Sequence, residues 1–90
     1  MPQNKNEISE SIMESKENIF IYPNPTTGKI TIEYPSTLKE ANLFDLMGKK
    51  VMHIDLNTEN TKYDLDIGHL PNGVYIFYAE GFTNIKIIKN

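Results

Sequence analysis

Any chemistry in this chain would have to start from His53, His69, a handful of carboxylates and four serines. The serines, at positions 9, 11, 15 and 36, lie in a polar N-terminal stretch or beside a turn. None sits in the Gly-x-Ser-x-Gly elbow that lifts a nucleophile out of a sheet, so a serine hydrolase is not expected. The two histidines have no cysteine to work with and no His-x-x-x-His spacing, which makes them a poor zinc or copper set. His53 is expected on the surface of its strand and His69 in a loop beside a turn. Thr27-Gly28-Lys29 has the look of the end of a phosphate loop, but the earlier glycine is missing and Ile30 stands where a hydroxyl is needed. A turn is the better reading. Asp64 and Asp66 are two residues apart, a spacing that puts both carboxylates on one face of a strand. They could share a hard cation such as calcium only if a loop supplied more oxygens. As a glycosidase acid and base they would have no cleft between them. They read as a solvated outer face opposite Tyr63, Leu65 and Ile67, and the sequence offers no catalytic residue, metal site or cofactor site.

The elements that hold these residues follow from composition and periodicity. The chain has 90 residues, a net charge of −3 and no cysteine, enough for one small domain without a disulfide framework. Nine lysines, no arginine and twelve acidic residues leave no basic excess to neutralise a phosphate backbone, so nucleic acid is not an expected partner. The apolar runs are far shorter than the roughly twenty residues of a membrane-spanning helix. The N-terminal stretch lacks the basic-then-apolar layout of a secretory signal; the chain was either never exported alone or is part of something longer. Residues 1–18 carry four glutamates and three serines, with Ile8, Ile12 and Met13 as their larger apolar residues beyond Met1. That is too little to bury against the cost of ordering a backbone, and the segment reads as a flexible linker.

From Ile19 onward the pattern is that of strands. Residues 19–22 form a short apolar run stopped by Pro23-Asn24-Pro25, and Ile30, Ile32 and Tyr34 alternate with polar residues. Residues 41–46 and 50–56 read as a hairpin around Gly48 rather than a helix, because Gly48 can take a positive φ and Val51 is β-branched. Tyr63, Leu65 and Ile67 alternate again; Leu70-Pro71-Asn72-Gly73 is a turn, and residues 74–79 and 85–88 are the last two strands. Seven strands at about ten residues each predict an all-β fold, a small immunoglobulin-like antiparallel sandwich spanning residues 19–90.

Four pieces carry a further signal in their order: Tyr22-Pro23-Asn24-Pro25-Thr26; Phe44-Asp45-Leu46-Met47-Gly48-Lys49-Lys50-Val51; Leu70-Pro71-Asn72-Gly73-Val74-Tyr75; and Lys86-Ile87-Ile88-Lys89-Asn90. Together they resemble the C-terminal sorting domain of type IX (Por) secretion cargo in Bacteroidetes. The resemblance implies a tail of a larger secreted protein, carried by a Sec signal to the periplasm and recognised there by the outer-membrane translocon and its shuttle proteins. It implies removal of the tail by a sortase-like cysteine peptidase, with the cargo released or anchored at the cell surface. The chain then looks like such a tail without its cargo and Sec signal, with processing in the segment 7–18.

Each motif also has a structural reading. Pro23 and Pro25 fix a corner after the first strand, Gly48 and Gly73 serve turns, and Tyr75 packs between sheets. For Tyr22, Pro23, Asn24, Pro25, Asp45, Gly48, Lys49, Gly73, Val74 and Tyr75 the role is expected to be mainly structural. Lys86, Ile87, Ile88 and Lys89 are the candidates for translocon recognition, both lysines being expected to charge an exposed edge strand and to add little to a core. Two other classes compete. A carbohydrate-binding or adhesive accessory sandwich would need an exposed aromatic row, and a calcium-dependent module would need Asp64 and Asp66 to gather further ligands.

Overall fold

The computed structural model describes residues 18–56 and 60–90. Apart from Asn18, the linker expected over residues 1–18 lies outside the described residues. Seven strands follow in chain order: β1 Phe20–Tyr22, β2 Lys29–Glu33, β3 Glu40–Asp45, β4 Lys50–Asp55, β5 Lys62–Asp66, β6 Gly73–Tyr78 and β7 Ile85–Lys89. Each falls within a residue of the position that alternation predicts, and there is no helix among the described residues.

The strands form two antiparallel sheets, ordered β1-β2-β5 and β4-β3-β6-β7. With the strands lettered as in an immunoglobulin domain, these are A-B-E and C′-C-F-G. The chain crosses between sheets after β2, β4 and β5, so neither sheet can form from one continuous segment. One apolar cluster joins them: Ile30 and Ile32 from the first sheet meet Leu43, Ile54, Phe77 and Ile87 from the second. The alternation is physical. Asp64 and Asp66 are exposed while Ile67 is fully buried and Tyr63 and Leu65 are half-buried, as a sheet with one wet face requires.

Tyr75 fixes the corner between β5 and β6. It is buried, and its hydroxyl donates to the carbonyl of Pro71, four residues upstream. This is the tyrosine corner found near the start of strand F in immunoglobulin-like sandwiches. The expected packing of Tyr75 between the sheets is thus observed, together with a hydrogen bond that periodicity alone could not reveal.

Candidate functional site: the motif end of the sandwich

The four motifs, scattered between Tyr22 and Asn90 in sequence, converge on one end of the fold. Asp45 at the end of β3 pairs with Tyr75 near the start of β6, and Gly73 pairs with Lys89 at the end of β7. Thr26 in turn bridges Lys89 in parallel from the other side. The hairpin tip, the Leu70–Gly73 turn, the last strand and the proline segment therefore share this end.

The proline segment acts as a clasp. The Tyr22–Pro23 and Asn24–Pro25 peptide bonds are both cis, and between them the Asn24 side chain faces the outer edge of β7. Its Nδ2 donates to the Lys86 carbonyl at 2.7 Å, and its Oδ1 accepts from the Ile88 amide at 2.9 Å. A side-chain amide thus takes the place of a strand peptide. Thr26 continues the ladder with its backbone: its amide donates to the Ile88 carbonyl at 2.8 Å and its carbonyl accepts from the Asn90 amide at 2.9 Å. The Thr26 hydroxyl donates to the Lys29 carbonyl and accepts from the Gly28 amide, so this buried residue has all its polar groups engaged. By sheet order β7 is an edge strand, but the Lys86 carbonyl, the Ile88 amide and carbonyl and the Asn90 amide on its outward side are bonded. An incoming strand has no ladder to join there.

The four candidate recognition residues divide by face. Lys86 is exposed and Ile88 half-buried, whereas Ile87 is fully enclosed and Lys89 only 7% exposed. Of the two lysines expected to charge the edge, Lys86 is exposed, while Lys89 is corrected to an inward-facing residue. The reason is alternation: Lys89 shares the inner face with Ile87, and its stem runs out of the core so that Nζ donates to Asn72 Oδ1 at 2.9 Å. The Leu70–Gly73 turn is consequently held from two sides, by Tyr75 at Pro71 and by Lys89 at Asn72.

The hairpin tip is ordered by Asp45. Its Oδ1 accepts from the amides of Met47 and Lys49, both at 2.9 Å; its carbonyl accepts from Gly48 and its amide donates to the Lys49 carbonyl. Gly48 has φ +86°, which a side chain would strain. Asp45 and Gly48 shape this turn, while Leu46 and Met47 stand in solvent at 69% and 93% exposure.

Among the described residues, the remaining chemistry-bearing side chains do not assemble a site. Asp64 Oδ1 accepts from the Thr31 hydroxyl and Asp66 Oδ1 from the Gly68 amide, and no group of three or more metal-ligating side chains gathers among the described residues. His53 lies on the outer face of β4, with Nδ1 2.9 Å from Asn42 Oδ1 and Nε2 3.6 Å from Glu40. The Tyr22 hydroxyl donates to the Glu33 carboxylate, and this bond holds the phenol above its ordinary pKa. A sugar-stacking row would need exposed rings side by side. Phe20 and Tyr22 are exposed on β1, but the third exposed aromatic, Tyr78, lies on the other sheet, where Phe44 meets it edge-on.

Sequence reasoning missed Asn24, Thr26 and Asn72 as partners of the last strand. No local signal identifies a bond between residues 62 or 64 positions apart. The exposure of Leu46 and Met47 was in principle readable, since both fall between the turn-forming Asp45 and Gly48.

The architecture is that of a small immunoglobulin-like sandwich, with its distinctive residues gathered at one end. Residues 20–90 match the family model described as the secretion system C-terminal sorting domain. The chain belongs to this family, the sorting domains of type IX secretion in Bacteroidetes, which is not known for catalysis. No curated protein and no solved structure matches the chain. None of the described residues lies in a helix long and apolar enough to cross a membrane. Family membership makes the domain a type IX sorting signal, attached to a cargo and marking it for export to the cell surface or the medium.

Proposed function

We propose that residues 19–90 are read as a folded signal by the outer-membrane translocon and its shuttle proteins, after the cargo has crossed the inner membrane and reached the periplasm. A sortase-like cysteine peptidase then cuts within the segment 7–18, and the cargo is released or anchored at the surface. The observation that carries this reading is the convergence of the family-like motifs at one end of the sandwich, with β7 locked there on both sides. Lys86 is the residue of the C-terminal set whose charge is free to be recognised. Ile87 and Lys89 support it from within, and Ile88 contributes a half-buried apolar surface on the same outer face. With the edge closed, recognition uses side chains rather than strand addition.

The test is a fusion of residues 7–90 to a periplasmic reporter in a type IX secretion host. The reporter should reach the surface or medium with the tail removed, and Lys86→Ala should lower export while the purified domain melts as before. A reporter that stays in the periplasm with the intact tail would overturn the reading.

A further inference from the structure

Leu46 and Met47 are the two most exposed large apolar residues described in the domain, and they occupy a turn whose backbone is fixed by four hydrogen bonds from Asp45 and its neighbours. A turn has no packing reason to hold two large apolar side chains in water, and a rigid support lowers the entropy lost when such a knob is seated in a partner. The charge around the tip is one-sided. The Asp45 carboxylate is turned onto the amides of Met47 and Lys49, while Lys49 and Lys50 are exposed and, among the described residues, neither forms an ion pair. The whole chain is acidic, so a cationic tip is a local arrangement. Lys86 lies close by in register, across Ile76 from Phe44.

From this we infer that the β3–β4 hairpin tip is a docking knob, with Leu46 and Met47 entering an apolar socket whose rim carries carboxylates that meet Lys49 and Lys50. The inference rests on the sorting reading above and names the surface of the domain that touches the receptor, an outer-membrane protein of the secretion host. A second copy of this chain is the competing occupant, because a groove of about 520 Å³ has Ile30 and Leu65 among its lining residues together with Asp64 and Asp66. A tip-to-groove contact between copies is heterologous, generating open chains of copies unless its rotation closes a ring. The receptor is the better complement.

The experiment has two readouts. In the reporter fusion, L46S/M47S should cut export by about tenfold, the scale of losing a central apolar anchor, with the melting temperature of the purified domain held; F20S, a change at an exposed apolar residue on the other sheet, should export normally. Independently, a photo-crosslinker at position 47, but not at position 20, should join the fusion to one outer-membrane protein in host membranes, and K49E/K50E should suppress that adduct. Full export of L46S/M47S overturns the knob, as does an adduct only to a second copy of the domain or no adduct at all. An adduct insensitive to K49E/K50E overturns the acidic rim. If the intact tail fails to export yet position 47 still gives the charge-sensitive adduct, the sorting reading falls and the docking knob stands.

Discussion

Asn24→Ala measures the clasp directly. The substitution removes the donor to the Lys86 carbonyl and the acceptor from the Ile88 amide, while Thr26 keeps its own two backbone bonds to β7. Each lost bond is worth about 0.5–1.5 kcal/mol net, and because Asn24 is exposed, water replaces part of it, so the sum should be about 1–2 kcal/mol. For a domain of this size that is a fall in melting temperature of about 5–15 °C. Asn24→Asp sharpens the test. It retains the acceptor for Ile88 but sets a carboxylate oxygen against the Lys86 carbonyl, so at neutral pH it should be at least as damaging as alanine. A protonated carboxyl can donate to that carbonyl, so the folded state raises the pKa of the new group. Its stabilising contribution is present below the unfolded pKa of about 3.9 and is lost as pH rises through the raised folded value. The gap between Asn24→Asp and the parent should therefore narrow as pH falls. Thermal melts by circular dichroism and amide exchange at Ile88 report both effects. An Asn24→Ala domain that melts with the parent and keeps Ile88 protected would refute the clasp.

Two further outcomes follow from burial and hydrogen bonding. Lys86→Ala should change stability by no more than about 0.5 kcal/mol, whereas Lys89→Ala, which loses a charge-assisted bond and the packing of its stem, should cost about 1.5–3 kcal/mol; denaturant unfolding of the two single variants separates them. The phenol of Tyr22 should titrate above the ordinary tyrosine range and move down toward it in Glu33→Gln, as read by NMR. Because that pKa is raised in the fold, its contribution is present below the ordinary value and lost as pH climbs through the raised one.

The strands were legible because alternation and turn residues are local properties. Ile30-Thr31-Ile32, Tyr63-Asp64-Leu65 and the Gly48 hairpin each declare a face or a reversal within a few residues. Sheet membership was not legible at that level, since β2 and β5 pair across an intervening hairpin. Lys89 shows the limit most clearly. Its type and its place in a charged motif suggest solvent, yet its parity with Ile87 turns it inward, and only Asn72, 17 residues away, makes that position tolerable. The aromatic inventory misleads in the same way: Tyr75 and Phe77 are core, while Phe20, Tyr22 and Tyr78 are divided between two sheets.

The clasp also bears on how fast this domain becomes itself. Asn24 and Thr26 wait on Lys86, Ile88 and Asn90, and β7 is the sole partner of the outer side of β6. Nearly the whole length of the fold must be enclosed as one loop before those bonds form. Such distant pairing raises contact order, the regime in which small β-proteins fold in milliseconds to seconds rather than microseconds. Until residue 90 joins, β6 is a bare edge and the proline segment has nothing to hold, so the motif end comes into being only with the complete fold.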